Sequence, residues 1–280
     1  MKKINMLQFD AVLFSKYRSV LMGIGAIGVV LGHNLRWCDW PTVLSLPARV
    51  ISAMVFTEGF LFLSGFGLFF SFDKDNDVKS FLAKRVNRLY LPFLLILLPF
   101  AVINLIGGFA SGKSVLIDAT CVPWFFGMGG YWYVALTLML YAIYPLVHNY
   151  VFLDTKKMML KCGILIVFLY IAIIAIQYFL PDYFSKVEIG LVKAPIFFVG
   201  MMCGYLAKNK KIFHHFIPLI VGCVAISFCW RFVNHTALSE GVSGSLLRIL
   251  CMALICISLE YLKPNGGGCP KTLKQQPCDI

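Results

Sequence analysis

The feature that most constrains the fold of this chain is a succession of eight apolar stretches, each close to the 20 or so residues that an α-helix needs to cross a bilayer. The stretches lie near residues 19–37, 51–72, 89–110, 131–150, 162–180, 189–207, 216–232 and 245–262. Inside a bilayer the backbone polar groups must find partners within the protein, and a helix satisfies them within one segment. The sequence therefore predicts an all-α polytopic membrane helix bundle with about eight transmembrane helices.

Composition supports this class and argues against nucleic-acid binding. Of the 280 residues, 60% are hydrophobic and 14% are charged, whereas a soluble domain has roughly 25% charged residues. The net charge of +12 lies mostly in short runs between the apolar stretches, where basic residues set the orientation in a membrane. We therefore expect membrane lipid, and no nucleic acid, as a partner.

The distribution of basic residues predicts the orientation. With the N-terminus in the cytoplasm, 18 of the 25 lysines and arginines fall on cytoplasmic segments and seven on the outer side. The positive-inside rule then places both termini in the cytoplasm. We expect one transmembrane domain over residues 1–263, followed at 264–280 by a polar tail, which a truncated chain would also show.

The ten cysteines give no support for a metal site. They are scattered, without a Cys-x-x-Cys pair or a cluster with histidine, and most fall in apolar stretches, where cysteine behaves as a small apolar residue. Cys38 and Cys121 would both lie on the outer face, where two thiols can form a disulfide.

Ionisable residues in or beside a membrane span are costly and therefore point to function. Arg85 and Arg88 are three residues apart just before the third stretch, so one helix face would carry two guanidinium groups suited to phosphate. If that helix begins near Leu89, its N-terminal amides also favour an anion. The alternative is that these arginines only set the orientation of the chain.

A histidine in the first stretch suggests proton transfer. We expect His33 to be the only histidine buried in a span, and Glu58, on the descending second stretch, to lie at a similar depth. A neutral imidazole that is oriented by a carboxylate can act as a general base. The alternative is a histidine that serves packing between helices. Four further residues near outer helix ends can hold an anionic acceptor or meet lipid headgroups: Lys193, Arg231, His235 and Arg248.

Four fragments in this order give the chain a resemblance to a known family. They are residues 29–34 around His33, the Ser64-Gly65 pair within 57–68, the Lys84-Arg85-x-x-Arg88 run with Pro92, and Tyr131-Trp132-Tyr133 followed by Tyr141 and Pro145. The chain resembles acyltransferase family three, the integral membrane O-acyltransferases, over about residues 15–150. The resemblance implies a bacterial inner-membrane enzyme that moves an acyl group, usually acetyl, from cytoplasmic acyl-CoA to a hydroxyl of a cell-surface glycan or lipid-linked sugar.

The resemblance also implies roles for particular residues. His33 corresponds to the catalytic histidine and Arg85 and Arg88 to the donor site for acetyl-CoA. The family often has an arginine eleven residues before its histidine, where this chain has Met22, and the nearest arginine is Arg18. Family members commonly have ten spans rather than eight.

Two other functions stay open on the sequence. One is a proton-coupled membrane transporter, against which we count an expected lack of paired Gly- or Pro-broken helices in two similar halves. The other is a truncated, inactive acyltransferase homologue.

Overall fold

The computed structural model describes residues 8–38, 41–75, 77–152, 157–209, 212–214 and 216–262, and these are mostly helical. The helices are α1 (Val12–Lys16), α2 (Arg18–Trp37), α3 (Thr42–Met54), α4 (Thr57–Asp75), α5 (Val78–Ile106), α6 (Gly112–Ala119), α7 (Trp132–Phe152), α8 (Met158–Phe179), α9 (Pro181–Leu191), α10 (Ala194–Lys208), α11 (Phe216–Asn234) and α12 (Ala237–Tyr261). A short 3-10 helix covers Val122–Phe126. Two three-residue strands, β1 (Gln8–Asp10) and β2 (Ile212–His214), pair antiparallel.

Eight helical segments in the described part of the chain are long and apolar enough to cross a membrane. The predicted all-α bundle of about eight spans is thus confirmed. Six of the spans are single helices, whereas the second consists of α3 and α4 and the sixth of α9 and α10. The second and sixth spans occupy equivalent places in two four-span halves, and both are interrupted. The breaks fall at Val55 and Phe56, and at Val192 and Lys193. None of these residues is Gly or Pro, so the expectation that paired Gly- or Pro-broken helices are lacking is not contradicted.

Helix α5 begins eleven residues before the apolar stretch that predicted it. Asp77 caps the helix by accepting hydrogen bonds from the backbone amides of Lys79 and Ser80, at 3.2 and 3.1 Å. Lysine and arginine favour helix, so the helix continues through the basic run into the apolar stretch. Arg85 and Arg88 therefore lie within the helix, and the expectation that helix N-terminal amides adjoin them was wrong.

Helices α4 and α10 form the centre of the bundle, and they approach each other through glycine. A side chain at Gly65 would collide with the carbonyl oxygen of Phe197, and one at Gly200 with that of Phe62. A Cβ at Gly204 would lie 2.8 Å from the carbonyl oxygen of Phe66. Small residues permit this spacing where helices pack in a membrane.

Helix α2 packs along both parts of the second span. A Cβ at Gly28 would lie 2.6 Å from the carbonyl oxygen of Val55, at the α3–α4 break. One at Gly67 of α4 would lie 2.6 Å from the Arg18 guanidinium at the other end of α2. Helix α2 therefore runs from the C-terminal half of α4 to the break in the second span.

The segment before the first span and the end of the last span lie on the same side of the bundle. Lys16 forms an ion pair with Glu260, and the Tyr17 hydroxyl donates to the same carboxylate at 2.7 Å. The bond with Glu260 raises the pKa of Lys16. An even number of spans requires this arrangement, and the assignment of that side to the cytoplasm stays a prediction. The predicted polar tail at 264–280 lies outside the described residues.

Candidate active site

A cavity of about 380 Å³ lies beside His33, between α2, α4 and α7. Its lining residues are mostly apolar or aromatic, with a few polar groups: Ala26, Val29, His33, Thr57, Phe60, Trp132 and Tyr133. This is the composition typical of a small-molecule site, where a few polar groups orient the ligand.

His33 presents its imidazole to this cavity and is solvent-exposed rather than buried. The ring centroid lies 6.3 Å from that of Phe56. No described residue forms a hydrogen bond with the imidazole.

A second histidine lies inside a span, so the expectation that His33 would be the only one was wrong. His148 of α7 is 8% exposed and lies among aromatic rings. The nearest ring centroids are those of Phe152 at 4.7 Å and Phe72 at 4.9 Å. The sequence prediction overlooked His148 because it lies near the end of its apolar stretch.

Glu58 lies in the first turn of α4 and is 3% exposed. Two cations approach its Oε1 oxygen: Nη1 of Arg248 at 3.1 Å and Nζ of Lys193 at 3.4 Å. Its Oε2 oxygen accepts a hydrogen bond of 3.0 Å from the Thr57 hydroxyl. In the described structure Glu58 forms no hydrogen bond with His33, and its role in orienting the imidazole stays a prediction.

The four polar residues that the sequence analysis assigned to outer helix ends separate into different environments. Lys193 and Arg248 belong to the Glu58 cluster. Arg231 instead forms an exposed ion pair of 3.2 Å with Glu240, and His235 lies beside the ring of Phe232. The sequence placed all four near one surface, but it could not show which of them would meet a buried carboxylate.

Three arginines come together at the opposite end of α2 from His33. Arg85 is 7% exposed, whereas Arg88, one turn further along α5, is exposed. The Arg85 guanidinium lies within electrostatic range of Arg88 and of Arg18 on α2. Its Nε is buried without a hydrogen-bond partner in the described structure. A buried cation beside two other cations makes a site that favours an anion.

The arginine cluster and the cavity lie along one helix face. His33 follows Arg18 by fifteen residues, which is about 22 Å along a helix at 1.5 Å per residue and roughly 60° around it. Ala26 and Val29, which line the cavity, fall on the same face. On α4, Thr57 and Phe60 at the cavity are followed on one face by Ser64 and Gly67.

Helix α7 also connects the two regions. Trp132 and Tyr133, at the N-terminal end of α7, line the cavity. Two turns on, the Tyr141 hydroxyl lies 3.5 Å from Ser64 Oγ and within electrostatic range of Arg85. The same three helices thus contribute to the cavity and to the surroundings of the arginines.

Cys38 and Cys121 are both free thiols, so the suggested disulfide does not form in this structure. Cys38 is exposed and Cys121 is buried beside the 3-10 helix. Burial raises the pKa of the Cys121 thiol to about 11. No group of three or more His, Cys, Asp or Glu side chains within the described ranges is placed to hold a metal ion.

The eight-span bundle thus has a cavity beside His33 and, at the other end of α2, an arginine cluster of which Arg85 is buried. The family model for an acyltransferase domain, acyltransferase family 3, matches residues 19–269. The chain therefore belongs to this family and is a membrane acyltransferase. The match extends well beyond the residues 15–150 that carry the motif resemblance. Comparisons with curated proteins and with solved structures gave no match.

Proposed function

We propose that this protein is an O-acyltransferase of a bacterial inner membrane, with acetyl-CoA or another acyl-CoA as donor. The acceptor is a hydroxyl of a cell-surface glycan or of a lipid-linked sugar. The main support is the placement of a base, His33, and a cluster of cations, Arg18, Arg85 and Arg88, along one face of the bundle.

The arginines suit the phosphates of CoA. A guanidinium offers five donors in a planar fork, which matches phosphate oxygens better than an ammonium does. The Nε of Arg85 is buried without a hydrogen-bond partner in the described structure, so a phosphate oxygen would reach it only after the side chain shifts. Arg88 is exposed and can meet the donor as it arrives from the cytoplasm.

At the cavity the chemistry requires a base. The His33 imidazole takes the proton of the acceptor hydroxyl while the oxygen attacks the thioester carbonyl carbon. The carbon–sulfur bond then breaks, and the departing CoA thiolate receives the proton from the imidazolium. Atoms and charge balance, and the histidine returns to its neutral form.

The distance of about 22 Å along α2 from Arg18 to His33 sets a geometric requirement. With the phosphates bound at the arginines, the acyl-pantetheine arm must extend between α2, α4 and α7 to bring the thioester to His33. Residues on the facing sides of these helices supply such a path, including Ser64 and Tyr141, which contact each other between the two ends.

The test is transfer of label from [14C]acetyl-CoA in membrane vesicles of both orientations. Inverted vesicles expose the cytoplasmic face, so they should incorporate label into glycan or lipid-linked sugar, whereas sealed right-side-out vesicles should not. Incorporation only in right-side-out vesicles would contradict a cytoplasmic donor site.

A proton-coupled transporter remains a second candidate because the second and sixth spans are both broken helices. Such breaks at equivalent places often mark a solute site. Membership of the acyltransferase family favours acyl transfer instead. Proton-driven uptake of a sugar or other solute without labelled product would favour the transporter.

A further inference from the structure

The charged cluster beside the cavity has more positive than negative charge. Glu58, Lys193 and Arg248 together carry a formal charge of +1, and both cations approach the same oxygen, Oε1. Two cationic side chains that share one carboxylate oxygen can both also donate to an anionic ligand.

Helix N-termini add to the positive potential at this place. Helix α4 begins at Thr57 and α7 at Trp132, and both residues line the cavity. Helix α10 begins at Ala194, directly after Lys193. The N-terminus of a helix carries partial positive charge and unpaired amides, which attract anions.

Arg248 has hydrogen-bonding capacity that Glu58 does not use. Its Nη1 meets the carboxylate, but its Nε is buried without a hydrogen-bond partner in the described structure. Buried donors are normally satisfied. Because the Nε is closed to solvent, a ligand oxygen would satisfy it only after the Arg248 side chain shifts.

The cluster is within reach of a ligand in the cavity. Lys193 Nζ lies 3.3 Å from the Thr57 hydroxyl and 4.9 Å from the centroid of the Trp132 ring. Thr57 and Trp132 are both wall residues of the cavity that holds His33. An anionic group bound at Lys193 would thus lie in the same cavity as the base.

We propose that this cavity selects acceptors that carry a carboxylate or a phosphate near the reacting hydroxyl. Lys193 and Arg248 bind the anionic group while His33 faces the hydroxyl. The assignment of the ligand as acceptor depends on the proposed function, but the anion site does not. The carboxylate of an acidic sugar and the phosphate of a sugar phosphate share this chemistry.

The experiment is equilibrium binding to the purified full chain in detergent, without acyl-CoA. The probes are methyl glucoside, methyl glucuronide and glucose 1-phosphate. We expect at least one anionic probe to bind about tenfold more tightly than the neutral one, because a charge-assisted hydrogen bond is stronger than a neutral one. Which probe binds more tightly distinguishes a carboxylate from a phosphate ligand. Equal affinities for all three, or no binding of either anion, would overturn the proposal.

Three variants locate the site. Arg248→Gln should remove the preference for the anionic probe, whereas Glu58→Gln should strengthen it, because both cations are then released from their shared carboxylate. These opposite directions separate loss of the site from misfolding, which size-exclusion chromatography also checks. Arg231→Gln, which removes an exposed outer ion pair, is the matched control and should leave binding unchanged. An unchanged preference in Arg248→Gln would overturn the assignment.

Acyl transfer is measured separately on the same preparations. Anion-selective binding without any transfer would support the site and count against the proposed function. Transfer to neutral and anionic acceptors at equal rates would support the function and overturn the acceptor class.

Discussion

Lys193 and Glu58 form an ion pair, with Nζ 3.4 Å from Oε1, that joins the two broken spans of the bundle. Lys193 lies in the break between α9 and α10, and Glu58 in the first turn after the break between α3 and α4. The discontinuities therefore meet through charged side chains beside the cavity that contains His33. Irregular backbone at membrane depth occurs where it lines a cavity or is buried in protein.

Replacement of His33 by alanine should lower acyl transfer by a factor of about 10² to 10⁴, the usual contribution of a general base. The imidazole is exposed to a cavity, so its removal should leave abundance and insertion unchanged. The measurement is label transfer from acetyl-CoA in membranes with matched protein levels.

His148→Phe is the control for this substitution. It replaces the second intramembrane histidine, which packs among aromatic rings, by a ring of similar shape. Transfer should persist in this variant. Loss of transfer in His148→Phe together with full activity in His33→Ala would contradict the assignment of His33 as the base and favour His148.

The double variant Arg85→Lys/Arg88→Lys should raise the KM for acyl-CoA by about tenfold, the effect of losing one charge-assisted hydrogen bond. Lysine keeps the charge that sets topology but loses the planar fork that binds phosphate. We expect the single Arg85→Lys change to account for most of the effect, because Arg85 is buried and Arg88 is exposed. Steady-state kinetics with varied acyl-CoA measures it.

Lys79→Gln provides a comparison on the same helix, since this lysine is exposed in the first turn of α5. Its KM should match that of the wild type. An unchanged KM in the double-lysine protein would show that the two arginines serve orientation alone.

Cysteine labelling tests the orientation of the spans. In a background without Cys38 and Cys229, the exposed cysteines of the described residues, and without Cys269 and Cys278, a membrane-impermeant maleimide should react from outside with Lys113→Cys and not with Lys79→Cys. Lys79 lies in the first turn of α5, and Lys113 lies in α6, after the C-terminal end of α5. Labelling of position 79 from outside would place the arginines on the wrong face for a cytoplasmic donor.

Alkylation of the native thiols should depend on pH and on folding. Burial raises the pKa of Cys121 to about 11, so near neutral pH this thiol is protonated and reacts slowly. Its rate should rise as pH approaches the raised pKa and should become ordinary after denaturation. Exposed Cys38 is the internal comparison, and mass spectrometry of each peptide measures the rates. Rapid modification of Cys121 in the native protein at neutral pH would contradict its buried position.

The glycine contact between α4 and α10 should be sensitive to a single methyl group. Gly200→Ala places a Cβ against the Phe62 carbonyl. The shift needed to relieve this clash should lower the free energy of unfolding by on the order of 1–3 kcal/mol. Gly163→Ala on α8 is the matched control, since no atom lies within 4 Å of its added Cβ. Thermal unfolding in detergent should show a lower midpoint for Gly200→Ala and an unchanged or higher one for Gly163→Ala.

The amino-acid sequence by itself determined the class of this protein. Apolar stretches of span length require helices in a bilayer, and this requirement predicted eight spans that the structure bears out. Four short motifs identified the family over the first half of the chain, and the family model extends that assignment to residue 269. The apolar stretches and the short motifs are both local features of the sequence, so they can be identified without knowledge of how the helices pack.

Tertiary structure decided which charged side chains meet. Glu58, Lys193 and Arg248 are far apart in the sequence, and only the packing of three helices brings them together. The same packing buried Arg85 and His148 while it left His33 facing a cavity. Hydropathy describes whether a segment enters the membrane, but the partner of each ionisable group depends on rotation and contact between helices, which no single stretch of sequence specifies.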